Sequence, residues 1–180
     1  MLVERLPAAL RGLSRACLVV AGVAIAAMML HVGADIAGKA LFGRSLGGTI
    51  EMVSGWYMPA CVFLPLVAVQ QHRGQLIVEF ATQTLGPRKR ALLDGLAAAL
   101  GCAYVGAMVY TGAHEAWTQT AIGERTNSSV FDFPVWPTRW FPVLGGAGMA
   151  AWLALQSLSD LAFAVTGRVM ERPDETLERL

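Results

Sequence analysis

Charge is what this sequence has least of. Only 15% of its 180 residues are Asp, Glu, Lys or Arg, whereas 55% are hydrophobic; soluble domains carry about 25% charged residues. Mean hydropathy is +0.51. So few charges cannot clothe an ordinary soluble globule. Charge of one sign is lacking too. Fourteen Lys and Arg against 13 Asp and Glu exclude the basic excess of a nucleic-acid binder and the acidic, weakly hydrophobic profile of a disordered chain. Nucleic acid is therefore not an expected partner. Cysteine is scarce: Cys17, Cys61 and Cys102 form no CxxC pair and lie in apolar runs, where a thiol packs as a small hydrophobe. Catalytic signatures are missing as well. There is no GxSxG, no P-loop and no GxGxxG opening a helix after a strand. His114-Glu-Ala-Trp-Thr118 begins like a zincin HExxH but has Thr where the second His ligand must stand. The expectation is a protein that is not an enzyme, with no catalytic residues, no metal and no cofactor.

What is present is a set of long apolar runs. Between ionisable residues, the intervals Arg15 to Asp35, Glu51 to His72, Asp94 to His114 and Arg139 to Asp160 enclose 19, 20, 19 and 20 residues. About 20 residues of helix cross a hydrocarbon core about 30 Å thick. The runs lack the period-two alternation of barrel strands, and only helices or closed barrels satisfy their backbone inside lipid. The fold class is therefore an all-α integral membrane protein. Residues 1–180 form a single membrane domain in the lipid bilayer, with spans at about 16–34, 52–71, 95–113 and 140–159. Arg5, Arg11 and Arg15 before the first run resemble a secretory n-region, but the run is longer than a signal core and three spans follow, so an uncleaved helix is expected.

Lys and Arg set the orientation. The N-terminal segment, the middle loop (Arg73, Arg88, Lys89, Arg90) and the C-terminal segment (Arg168, Arg172, Arg179) hold ten basic residues; the other two loops hold four, Lys39, Arg44, Arg125 and Arg139. Positive-inside then puts both termini in the cytoplasm. The opposite side collects Trp117, Phe131, Phe133, Trp136, Trp140 and Phe141, as an aromatic belt would, and Pro134, Pro137 and Pro142 are expected to prevent a continuous helix there. Between spans two and three, Leu76, Ile77, Phe80, Thr84 and Leu85 share one helical face and Gln75, Glu79, Thr82 and Gln83 the other. This reads as a short amphipathic helix at about 75–85 lying in the cytoplasmic interface, ended by Gly86-Pro87 and anchored by the basic residues that follow.

Few residues inside the spans carry chemistry. In span three Gly95, Ala99, Ala103, Ala107 and Thr111 recur at steps of four, beside a ridge of Ala98, Cys102 and Gly106, and such small residues let helix backbones approach. Span four adds Gly145, Gly146 and Gly148. Pro59 and Pro65, with Gly55 one turn before the first, predict a kinked span two that serves packing. His31, Asp35, Glu51, His114, Glu115 and Asp160 fall near span ends, within reach of water; His31 and Asp35 share a helical face as a relay pair or a hydrated helix end. Repeated halves, matching broken helices and midplane polar groups, the marks of a complete secondary carrier, are lacking.

One segment is specific. Glu51-Met-Val-Ser-Gly-Trp56, followed by Val62-Phe-Leu-Pro-Leu-Val-Ala-Val-Gln-Gln-His-Arg73-Gly74-Gln75-Leu76-Ile77-Val78-Glu79, resembles the small membrane subunit (DctQ-type) of tripartite ATP-independent periplasmic transporters, the TRAP family. That family has a Glu and a Trp early in span two, then Arg-Gly-His-Ile-x-Val-Asp. Here Gln75 stands for the His and Glu79 for the Asp, so a role needing the His is not carried over. The order of elements agrees over nearly the whole chain.

The resemblance implies the small permease subunit of a sodium-coupled, binding-protein-dependent importer of organic acids. Its partners would be a large multi-span TRAP membrane subunit, which holds the substrate and sodium sites, and a periplasmic substrate-binding protein. No substrate-binding residue is expected in this chain. Glu51, Trp56, Arg73 and Glu79 are the expected subunit-assembly residues, and Gly95, Ala99, Ala103 and Ala107 the expected helix-packing residues. The location implied is the bacterial inner membrane. Two other classes compete: a membrane haem subunit using His31 and His114 on one membrane face, and a small oligomeric exporter, which needs a carboxylate deep in a span and has one only if span four shifts to take in Asp160.

Overall fold

The computed structural model describes residues 2–73, 86–126 and 132–167. The expected interfacial helix at 75–85, with Gln75 and Glu79, lies outside the described residues, as do Phe131 and the C-terminal Arg168, Arg172 and Arg179. Helix α1 runs Leu2–Phe42. The second span is a chain of short pieces: α2 (Thr49–Met52), a π turn (Val53–Tyr57), α3 (Met58–Phe63) and α4 (Leu66–Gln71). Helix α5 runs Pro87–Ala121, and a 3-10 turn at Trp136–Arg139 leads into α6, Trp140–Thr166. The fold is all-α: among the described residues four helical stretches are long and apolar enough to cross a membrane. An isolated antiparallel bridge, Arg125 with Pro134, closes the loop before α6.

The helices outrun their apolar cores. At 1.5 Å per residue α1 is about 60 Å long, twice the hydrocarbon thickness. Charged ends such as Arg11 and Lys39 cost nothing once the helix has left the lipid. Pro142 does not interrupt the aromatic segment as expected, because it sits in the first turn of α6, where an amide N–H has no helical acceptor to lose. Pro137 likewise opens the 3-10 turn. Of the three prolines only Pro134 lies in non-helical chain.

Span two breaks where its prolines remove donors. Pro59 can give no hydrogen bond to the carbonyl of Gly55, and its ring would collide with that group in a regular α-helix. The chain responds by widening to a π turn over Val53–Tyr57, in which the Met58 amide donates to the Val53 carbonyl. Pro65 makes the second break, and the helix resumes with the Ala68 amide on the Pro65 carbonyl at 2.9 Å.

Helix α6 is the spine. A third of its apolar window (33%) is buried inside the chain, against 6% for α5, which leans on α6 from outside. Backbones meet where α6 has glycine. A Cβ on Gly145 would collide with the Phe63 carbonyl, one on Gly148 would stand 2.7 Å from Val67, and one on Gly146 2.7 Å from Val109 of α5. Span two and α6 run parallel, Phe63 against Gly145 and Arg73 against Asp160. Helices α5 and α6 are antiparallel, Gly95 against Leu161 and Gly112 against Val143. Leu10, Cys17 and Ala21 of α1 join Ala60, Leu64 and Val67 of span two and Trp152 of α6 in one buried cluster. The Trp152 indole N–H finds no acceptor in that cluster.

The inward stripes of α1 and α5 share a period. Buried Leu10, Ser14, Cys17 and Ala21 with half-buried Ala24 on α1, and buried Ala91 and Gly95 with half-buried Ala98, Cys102, Val105 and Val109 on α5, advance by four and three in turn. That 3.5-residue seam belongs to helices crossing at about 20°. A row at steps of four drifts about 40° per step off such a seam. Gly95 is buried and Ala99 half-buried, whereas Ala103 and Ala107 are exposed on the single chain.

Candidate functional site

Three constellations draw on the residues that stand out in the sequence. The first is the π turn with its surroundings. Trp56 projects from it, donates its indole N–H to the Pro134 carbonyl at 3.1 Å and meets Phe141 edge to face, ring centres 6.4 Å apart. Tyr57, next along the turn, stands edge-on to His31 of α1 at 6.0 Å, its hydroxyl 3.4 Å from the His31 Nδ1. Between α1, the π turn and the start of α6 lies an open apolar groove of about 490 Å³, bordered by Val20, Ala24, Trp56, Tyr57, Phe133 and Phe141. The Trp56 side chain is thus spent on holding the loop before α6 to span two. Glu51, half-buried, lies one turn earlier on α2.

The second constellation caps the outer end. Helix α1 continues past Asp35, whose carboxylate accepts from the Ser45 hydroxyl at 2.7 Å and the Leu46 amide at 2.5 Å. Asp35 therefore fixes the turn into span two, and its hydrogen bonds go to that turn rather than to His31. Glu124 is gripped by Arg139 through two parallel bonds, Nε to Oε2 at 2.9 Å and Nη2 to Oε1 at 2.6 Å. Those hydrogen bonds hold its carboxyl below the usual carboxylate range against partial desolvation, with the guanidinium charge adding to them. The depressed pKa means that the loop's anchorage is complete at neutral pH and is lost only as the pH falls through that lowered value. Arg125 pairs with exposed Asp132 at 3.1 Å, a contact worth at most about 1 kcal/mol.

The third lies at the other end of the bundle, between span two and α6. Gln70 donates from Nε2 to Gln156 Oε1 at 2.6 Å, and Gln156 Nε2 returns a bond to the Gln70 carbonyl at 2.8 Å. One turn further on, the Arg73 guanidinium meets the Asp160 carboxylate at 2.7 Å. Ser157 donates to the Gly95 carbonyl of α5 at 2.9 Å, so α6 is tied to both neighbours at the same depth. In the sequence Arg73 and Asp160 stand at the ends of different spans, 87 positions apart. A signal was available: spans two and four exit on the same side, so opposite charges just past them share a depth.

The four expected assembly residues are therefore not gathered into one site. Trp56 and Arg73 stand at opposite ends of span two, each engaged within the chain, and Glu79 lies outside the described residues. Nor do Ala103 and Ala107 share the buried seam with Gly95. Among the described residues no group of three or more His, Cys, Asp or Glu side chains could hold a metal ion.

Four membrane-length helices among the described residues, the second broken at Pro59 and again at Pro65, tied together by polar contacts that they make with one another, define a multi-pass helical membrane protein. Residues 28–163 match the family model described as tripartite ATP-independent periplasmic transporters, DctQ component, and the chain belongs to that family. It is a small permease subunit of such a transporter in the bacterial inner membrane, a transport component and not an enzyme. Among curated proteins and solved structures, none matches the chain.

Proposed function

We propose that this subunit is the membrane scaffold of a sodium-coupled importer of organic acids, in which a large multi-span subunit holds the substrate and sodium sites and a periplasmic protein delivers the substrate. The observation that carries this reading is where the polar groups of the bundle go. Gln70, Gln156, Arg73 and Asp160 bond to one another, while the outward faces of α1 (Val23, Met29, Leu30) and α5 (Leu96, Leu100, Tyr104) are broad and apolar. A carrier of anions must aim donors at its substrate near the midplane. A scaffold needs only a rigid body and apolar sides to offer a partner.

On this reading Trp56 and Arg73 support assembly indirectly, by holding the shape of the docking body, and Glu51 and Glu79 are the acidic groups offered to the large subunit at the two ends of the family segment. Ala103 and Ala107, exposed on the single chain, would then pack against that subunit. Affinity capture of the tagged chain from membranes that also express the large subunit should recover the two together in fixed ratio; recovery of this chain only as a homo-oligomer would overturn the reading. Both termini are assigned to the cytoplasm on the ten-to-four basic asymmetry. Reporter fusions after Arg44 and Phe131 are expected to report periplasm and one after Lys89 cytoplasm, and a cytoplasmic signal at Phe131 would sink the topology.

A further inference from the structure

The chain carries a feature that transport by a partner does not require: a left-handed residue at the end of span two that is also one half of an ion pair. Arg73 has φ +47, the only positive φ at a non-glycine among the described residues. An L-residue is strained there and persists only where its surroundings impose it. Gly would remove that strain, and Gly74 follows immediately, so the larger residue is placed at the turn at a disadvantage. What it gains is the contact with Asp160. The Asp160 side chain is only 8% exposed, whereas the Arg73 side chain is 35% exposed. The carboxylate is the buried partner and the guanidinium its reach to water.

We infer that Arg73 and Asp160, with the reciprocal Gln70–Gln156 amide pair one turn deeper, form an intrachain clamp that fixes the inner end of span two on α6. Arg73 is on this account a positioning residue that acts through Asp160, not a contact to the large subunit. The local bonding fits. The Gln70 carbonyl accepts both from Gln156 Nε2 and from the Arg73 amide at 3.1 Å, and the His72 amide still reaches Ala68 at 3.2 Å. The last turn of α4 is therefore stitched to α6 at the point where the backbone turns left-handed. Span two, broken twice by proline, needs such a tie because its own helical bonding cannot keep its inner third in register with α6.

The asymmetric burial gives the test. The full chain is purified in detergent, and thermal unfolding is followed for wild type, Arg73→Gln, Asp160→Asn and the double variant; Gln at 73 keeps the backbone cost constant through the series. Arg73→Gln strands a buried carboxylate and should lower the midpoint by about 6–12 °C. Asp160→Asn leaves the guanidinium able to turn to water and should lower it by less than half as much. The double variant, with neither charge, should return to within about 3 °C of wild type, because removing both members of a buried pair is nearly neutral. A double variant no more stable than Arg73→Gln, or an Arg73→Gln chain as stable as wild type, would overturn the clamp. The inference deepens the scaffold reading, and a second readout separates the two: recovery of the large subunit in affinity capture should fall with Arg73→Gln and return in the double variant. If thermal stability follows the asymmetric pattern while even the wild-type chain recovers no large subunit, the clamp stands and the scaffold reading fails.

Discussion

Gly145→Val is expected to abolish the folded subunit, and with it any complex that contains it. A Cβ at this position runs into the Phe63 carbonyl oxygen and carbon, which are backbone atoms and have no rotamer to retreat into. That carbonyl sits just before Pro65, where span two is already broken, so neither helix can slide without losing the contact of Gly148 with Val67 one turn along. Overpacking a core costs about 1–3 kcal/mol even where side chains can adjust. Here Gly145→Ala should fall at the top of that range and Gly145→Val beyond it, a large share of the about 5–15 kcal/mol by which a protein is stable. Gly106→Ala is the control: a Cβ there meets nothing within 4 Å, and the chain alone should keep wild-type stability in detergent. Size-exclusion profiles of the three variants check the ordering. A monodisperse Gly145→Val protein would mean that span two and α6 do not touch at this point.

The same contacts show what could be read from the sequence. Four apolar runs of 19 or 20 residues were legible because hydrocarbon thickness is a hard constraint on length. The ends of the helices were not, since an apolar run measures the lipid and not the helix: α1 continues through Lys39 to Phe42 in full helical geometry. Pro59 and Pro65 announced a break, but the π turn that absorbs Pro59 depends on what packs beside it. Pro142 reads as a helix breaker because a proline in the first turn of a helix and one that ends a helix look alike until the start of the helix is known. The small residues of span three recur at steps of four in two rows, whereas the inward seam keeps the 3.5-residue period of two helices inclined to each other and takes Gly95 from one row and Ala98 and Cys102 from the other, leaving Ala103 exposed. The tightest backbone approach belongs to Gly145 on span four, which the sequence marked only as one of three glycines near its outer end. Long-range pairs such as Trp56 with Pro134, or Arg73 with Asp160, join residues 78 and 87 positions apart and leave no local trace.

The second large effect concerns transport. Inserting an unpaired charge at the bilayer centre costs about 2.5–3.5 kcal/mol even on the lenient insertion scale, and an organic acid carries at least one. A carrier offsets this with amide donors at the ends of broken helices and with cation ligands. Span two is broken, but the prolines that break it remove amide donors, and the freed carbonyls repel anions. Gln70 and Arg73 of span two are held by Gln156 and Asp160 of α6. A sodium-driven organic-acid flux through this chain alone is therefore expected to be at the level of empty vesicles, and the full rate to require the large subunit together with the periplasmic protein. The measurement is uptake of labelled organic acids into liposomes under an inward sodium gradient, with this chain alone and with the complete set of components. The account predicts no saturable uptake for the chain by itself and saturable, sodium-dependent uptake for the complete set; saturable uptake by the chain alone would contradict it.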